Sequence, residues 1–245
     1  MFFGYYYRNR VTPYVILFIE RDGSTYLSSL LMSHPQIKAE YERFAVMKQN
    51  GANAREQLKW VDAYLTPPLF GKVAAIGFKT KLVDVLDMDG FSNVLRKKQV
   101  HIVQMRRNNL VKAVVSRINA RRLFEKSGKW NLYDESDRLS PIEIDLEQFD
   151  LYLREREQAD INLQAYVDGL QLPSIKIIYE DLLINKNESL RNLFRFIRVQ
   201  DIAVKGKTLK NTKDDLRDVV LNFDELRRYY AGSKYEPMFD EILVQ

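Results

Sequence analysis

The sequence predicts an α/β fold of three layers, in which a mainly parallel central sheet is covered by helices on both faces. Three observations carry that prediction: four apolar runs of strand length, helical patterns between them, and 46% hydrophobic against 29% charged residues in a chain of 245. Apolar runs without alternation belong to strands buried on both faces, and parallel strands need helical crossovers between them. The chain has no internal repeat and no Gly/Ser-rich or Pro-rich linker. Residues 1–245 are therefore read as one domain, long enough to bury a full core.

The elements follow in order. "YVILFI" (14–19) is the first strand, and "TYLSSLLMSH" (25–34) spaces its leucines for one face of a helix. "AREQLKWVDAYL" (54–65) is an amphipathic helix stopped by Pro67 and Pro68, and "VAAIGFK" (73–79) is the next buried strand. "VHIVQM" (100–105) is a third strand, leading into a helix through "LVKAVVSRINARRLF" (110–124). "SIKIIYE" (174–180) is the fourth, and "ESLRNLFRFIRV" (188–199) is a helix entered from the polar turn "NKN". Between them, 125–167 is polar, carries Trp130, and has a helical pattern over "LEQFDLYLREREQADINLQAYV". It reads either as a lid or acceptor-binding insertion or as one outer helix with its loop.

Composition excludes several functions. Without cysteine there are no disulfides, thiolate metal sites or cysteine nucleophiles, and two histidines are too few for a usual zinc site. The opening "MFFGYYYRNRVTPYVILFIERDG" has neither the build of a signal peptide nor a span long enough for a bilayer. The cytoplasm is the expected location. The net charge of +5 suits an anionic ligand, while the one basic–aromatic cluster, "YYYRNR" (5–10), reads as a terminal arm packed on its own domain and not as a nucleic-acid surface. Oligomeric state is not encoded in any motif. "NES" at 187–189 has the form of a glycosylation acceptor, which has no meaning in a chain that is not secreted.

The corner "RDGST" (21–25), between the first strand and its helix, is where a parallel sheet binds ligands. Gly23 allows a tight turn, the following helix offers its positive end, Ser24 and Thr25 add hydroxyls, and Arg21 is a fixed planar cation. Such a corner holds an anion. A Walker loop is absent: no lysine precedes Ser24, and the Gly-Lys-Thr at 206–208 has Asp201 where the first glycine belongs. Ser24 is not a triad nucleophile either, because no G-x-S-x-G elbow surrounds it and no histidine is placed to serve it.

"RDGSTYLSSLLMSHPQI" resembles the 5'-phosphosulfate loop of the sulfotransferase family, which holds 3'-phosphoadenosine 5'-phosphosulfate (PAPS). "VHIVQMRRNNLVKAVVSRINA" is similar to the family's second signature, in which an arginine at a strand end and a serine on the next helix bind the 3'-phosphate. "IIYEDLL" (177–183) resembles its Tyr-Glu-Asp strand end, and residues 210–239 resemble the C-terminal segment of bacterial carbohydrate and nodulation-type members. The resemblance implies a P-loop-NTPase-like sulfotransferase fold and PAPS as co-substrate without a metal. The donor-binding residues it implies are Arg21, Asp22, Gly23, Ser24, Thr25, Tyr26, Arg106 or Arg107, Ser116, Tyr179 and Lys210. Asp22 departs from the pattern, standing where many relatives have serine, and is expected to point away or cap the helix. Arg107 is favoured over Arg106 because its separation from Ser116 matches the carbohydrate-type members.

The chemistry implied is in-line sulfuryl transfer to a hydroxyl of a carbohydrate or other small molecule, with Arg21 and the loop neutralising charge as the bisphosphate leaves. Among His34, Glu40 and Glu42, the resemblance selects Glu42 in "EYERF" as the base; without it, both glutamates would read as solvated charges. His34 is expected to pack before Pro35, and His101 within its strand. Lys79 and Lys81 either face the crevice or are solvated strand-end lysines, and Tyr179 either lines the nucleotide or packs in the core. Lys205, Lys207 and Lys210 fall where relatives close a basic loop. Two rivals remain: a phosphate-transferring, kinase-like enzyme on a related fold, which would need Mg²⁺ and a Walker lysine, and a binding module that kept the anion pocket without chemistry.

Overall fold

The computed structural model describes residues 11–67, 72–130, 132, 134, 136, 138–206 and 213–243. Five strands form one sheet: β1 (Thr12–Leu17), β2 (Ile37–Glu40), β3 (Ala75–Thr80), β4 (His101–Arg106) and β5 (Ser174–Ile178). They lie in the order β2-β3-β1-β4-β5, and every neighbouring pair is parallel. All six residues of β3 are buried, as are five of the six in β1. Both have another strand on either side and helices above and below.

Alternate residues of β1 feed two different cores. Tyr14 and Ile16 pack with α1 (Ser24–Met32), α7 (Tyr179–Ile184) and α8 (Lys186–Phe196). Val15 and Leu17 pack with α2 (Arg43–Gln49), α3 (Ala54–Tyr64), α4 (Met88–Lys97) and the C-terminal half of α6 (Leu146–Leu170). The three-layer expectation is met. A third apolar cluster joins α5 (Leu110–Ser127) and the first half of α6 to α9 (Phe223–Tyr229) and α10 (Glu236–Asp240).

Local chemistry sets the element ends. Asn53 and Glu56 form a reciprocal capping box on α3, and Asp87, Asn109 and Asp145 each accept a backbone N–H at the start of α4, α5 and α6. The fourth strand is two residues shorter than expected, because Tyr179 opens α7 instead of closing β5. The short polar β2 had no periodicity to reveal it: "IKAE" buries only Ile37, and its pairing with β3 defines it. No helix among the described residues is long and apolar enough to cross a membrane.

The strand order places the site. The connection from β1 leads toward β2, that from β4 toward β5, so chains leave two adjacent strands in opposite directions. A crevice opens at their carboxyl ends, the switch point of a doubly wound sheet. Arg21 follows β1 there, and Arg107 follows β4.

Candidate active site

The β1–α1 loop is held in an uncommon shape. Arg21 and Gly23 both lie in left-handed backbone space, at φ 69° and 83°. Arg21 bears a side chain there, a conformation that costs about 1–3 kcal/mol unless its surroundings impose it. Asp22 imposes it: its Oδ2 accepts the Ile19 N–H at 3.0 Å, and its own N–H donates to the Ile19 carbonyl at 3.2 Å. Gly23 is required for a second reason, since a Cβ there would come within 2.3 Å of Tyr179 Cδ2. The Tyr179 ring therefore lies directly on the loop backbone. Helix α1 has no side-chain cap and no acidic residue in its first turn, so its leading N–H groups face the crevice uncompensated.

Behind the loop sits an arginine that motif reading missed. Arg156 of α6 is buried, donates to the Glu20 carbonyl at 3.1 Å, and pairs with Asp22 and with Asp160, the latter at 3.2 Å. Asp22 is fully buried, and burial lifts its carboxyl to about 6 against the pull of Arg156. Of the two expectations for Asp22, the structure meets the first. Its carboxylate turns away from the cradle, so it braces the loop and does not line it, and it does not cap α1.

Arg21, Arg107, Ser116 and Tyr179, scattered over 159 positions of sequence, meet in the crevice. Arg21 Nε donates to Ser116 Oγ at 3.0 Å, and Arg107 Nη1 approaches the Arg21 carbonyl at 3.4 Å. The Arg107 guanidinium stands over the Tyr179 ring at 5.1 Å, and its Nε lies 4.0 Å from Glu180 Oε1. Glu180 is engaged elsewhere, accepting the Asn108 and Asn109 N–H groups at 3.0 Å each. Burial and the nearby Arg107 charge lower Arg21 to about 10, and burial lowers Arg107 as well. The Nε of Arg107 is buried without a hydrogen bond. Arg106 is half-buried at the end of β4, and its Nε likewise makes none.

On the other side of the loop, Lys79 of β3 is 1% exposed and organises what remains. Its Nζ donates to Thr25 Oγ1 at 2.8 Å and to Ser24 Oγ at 3.3 Å, and pairs with Glu42 Oε1 at 3.0 Å. Burial lowers its affinity for a proton, and Glu42 opposes that. Lys81 reaches Glu42 Oε2 at 3.6 Å. Glu42 is therefore one ammonium away from the two loop hydroxyls, whereas the exposed Glu40 accepts the N–H of its neighbour Tyr41 at 2.9 Å.

The remaining expected residues lie apart. The Tyr26 ring packs under the chain at Gly206, where a Cβ would approach it to 2.8 Å. His34 joins Gln200 O and the Gln36 N–H, and His101 contacts Phe196 O at the sheet's end. Both histidines pack as the sequence suggested. Lys205 lies on the segment beside Ser33, its N–H 3.3 Å from Ser33 Oγ. Lys207, Lys210 and the arm at 5–10 fall outside the described residues. Among the described residues no cluster of three His, Asp or Glu could hold a metal ion.

A doubly wound sheet with a cationic cradle at its switch point is a site suited to an anionic ligand. No protein-family model matches the chain. It is 26% identical over 239 residues to Nodulation protein H of Rhizobium tropici, a likeness covering 93% of each chain. Among solved structures, a sulfotransferase from Alicyclobacillus acidocaldarius aligns at TM-score 0.49 and 13% identity, covering 95% of this chain and 98% of that one. A mouse sulfotransferase complexed with PAP aligns at 0.46 and 12%, covering 90% and 67%. The chain is thus similar to the nodulation protein along nearly its whole length, and the two stretches that resemble sulfotransferase signatures meet in the crevice.

Proposed function

We propose that the protein transfers a sulfuryl group from PAPS to a hydroxyl of a carbohydrate or other small-molecule acceptor, with Glu42 as base and residues 1–245 acting as one catalytic domain. The observation that carries this reading is the convergence of Arg21, Arg107 and Ser116 on one side of the loop and of Lys79 and Glu42 on the other. The first set suits a 3'-phosphate and the bridging phosphate of the donor, and the buried, unbonded Nε of Arg107 is a donor awaiting such an oxygen. Tyr179 forms the wall against which the loop and Arg107 are stacked.

Each residue then has a task. Glu42 takes the acceptor's hydroxyl proton as that oxygen bonds to sulfur, and the S–O bond to the donor phosphate breaks with its electron pair on the departing bisphosphate. Lys79, in contact with Ser24, Thr25 and Glu42 at once, orients the base and sets a positive charge where the transferring oxygens pass. Arg21, Gly23 N–H and the first turn of α1 stabilise the charge that grows on the leaving oxygen. Asp22 and Arg156 hold the loop in the shape this needs. Helix α6, most of which falls in 125–167, supplies that support and a wall for the acceptor.

The test is calorimetric titration with 3'-phosphoadenosine 5'-phosphate and, in parallel, ATP, both in EDTA. Metal-free binding of the bisphosphate with little for ATP supports the donor assignment. Binding of ATP that equals it, or that requires Mg²⁺, would favour the kinase-like alternative. Glu42→Gln should keep bisphosphate affinity and lose roughly 100-fold or more in turnover, and full turnover in this variant would remove Glu42 from its role.

A further inference from the structure

The two loops that meet in the crevice use their backbone in different ways. At the β1–α1 loop the leading N–H groups of α1 have neither a side-chain cap nor an acidic partner. At the β4–α5 loop the consecutive N–H groups of Asn108 and Asn109 form a comparable nest, and the protein fills it itself. Glu180 Oε2 accepts from Asn108 and Oε1 from Asn109, at 3.0 Å each, and the residue is 6% exposed.

That bond pattern decides what Arg107 can do. A carboxylate free to turn would close on the guanidinium as an ion pair and take the place of a phosphate. Held by two N–H groups, Glu180 instead leaves Arg107 Nε 4.0 Å from Oε1 and without a hydrogen bond. The preceding residue grips the other loop. The Tyr179 ring lies on the backbone at Gly23, where a Cβ would come within 2.3 Å, and stands 5.1 Å beneath the Arg107 guanidinium. Successive residues at the start of α7 therefore hold both loops. From its far side Asn109 is tied through Nδ2 to Met238 O at 2.8 Å and to Glu241 Oε2 at 2.6 Å, which leaves the β4–α5 loop little freedom to follow a misplaced anion.

We propose that Glu180 is a positioning residue for donor selection. By filling the nest it fixes Arg107 at a set separation from the β1–α1 loop, so that the crevice favours a ligand with phosphates at both places over one with a single phosphate. The inference rests on the donor assignment for its ligands and has a second readout that needs no ligand.

Glu180→Gln keeps the side chain's shape and offers one acceptor to two N–H groups. Calorimetry should show 3'-phosphoadenosine 5'-phosphate binding roughly 10-fold weaker and adenosine 5'-phosphate changing little. A residue needed only for folding would weaken both together. In the Arg107→Ala background the same change should cost the bisphosphate little, since the two residues act as one unit. Hydrogen exchange resolved by NMR should show the Asn108 and Asn109 amides exchanging roughly 10-fold faster in the variant, with those of β1 and α1 unchanged. Should Glu180→Gln not fold, Glu180→Asp, one methylene shorter and so drawn off the nest, carries the same comparisons. Parallel losses for the two nucleotides, additive losses with Arg107→Ala, or unchanged exchange at Asn108 and Asn109 would each overturn the proposal. A wild type that binds the two nucleotides equally counts against the donor assignment, and the exchange comparison then decides this one.

Discussion

Replacing Asp22 by asparagine tests the brace beneath the anion loop without changing its shape. In the folded protein burial lifts the Asp22 carboxyl from 3.8 to about 6. The folded value lies above the unfolded one, so Asp22 favours folding fully below pH 3.8, and that advantage disappears as the pH rises through 6. At about 1.4 kcal/mol per pH unit, the whole effect is about 3 kcal/mol. Part of it is already lost at pH 5, which leaves about 1.4 kcal/mol between pH 5 and pH 8. Asparagine does not titrate, and Arg156 retains Asp160 as a partner. Urea unfolding of both proteins at the two pH values should therefore show wild type losing about 1.4 kcal/mol more than Asp22→Asn between pH 5 and pH 8. Other titrating groups cancel in the comparison. Parallel curves, or a wild type that gains on the variant with rising pH, would mean that Arg156 compensates the buried carboxylate fully and that desolvation is not the dominant effect.

Three further outcomes follow from the same geometry. Gly23→Ala combines a positive φ with a Cβ at 2.3 Å from Tyr179, so it should lower stability by roughly 2 kcal/mol or more and abolish bisphosphate binding, checked by thermal melting and calorimetry. Lys79→Met removes a buried charge of nearly the same volume, so turnover should fall roughly 100-fold while the melting temperature holds or rises; turnover at the wild-type rate would take this lysine out of the reaction. Arg107→Ala and Ser116→Ala should each weaken 3'-phosphoadenosine 5'-phosphate by roughly 10-fold or more while changing adenosine 5'-phosphate little, because only the former carries the phosphate they are assigned to hold. Equal losses for both ligands would place these residues elsewhere in the site.

Legibility in the sequence followed burial. The runs "YVILFI" and "VHIVQM" were readable as strands because sheet centres tolerate little else, whereas "IKAE" became a strand only through its neighbour β3. Tyr179 ended an apolar run and so read as strand, yet its ring was needed against Gly23, and the helix begins on it. In the site, "RDGST" was readable since a tight anion turn needs its glycine and hydroxyls in one short stretch. Lys79 reads in the sequence equally as a crevice lysine or a solvated one, because its three partners come from residues 24, 25 and 42 on other elements. Arg156 lay hidden among the charges of "LREREQAD": nothing local distinguishes the one arginine that is buried, and the partner that buries it is 134 residues away.

That partner also explains how an acidic residue is tolerated in an anion loop. A carboxylate facing the crevice would repel an anionic ligand and cancel much of what Arg21 supplies. Turned inward, it is neutralised by Arg156 and spends its remaining oxygen on the Ile19 N–H, the bond that fixes the loop's left-handed residues. The arrangement makes the loop dependent on α6, since the same helix face that carries Arg156 also carries Ala159 and Leu163, which line the cavity beside the loop. The β1–α1 loop and this wall are thus anchored to one helix. Removing Arg156 leaves a buried carboxylate uncompensated, at a cost of roughly 3–5 kcal/mol, and loosens the loop. Substitution at Ala159 alters the wall alone and leaves the Asp22–Arg156 bond in place.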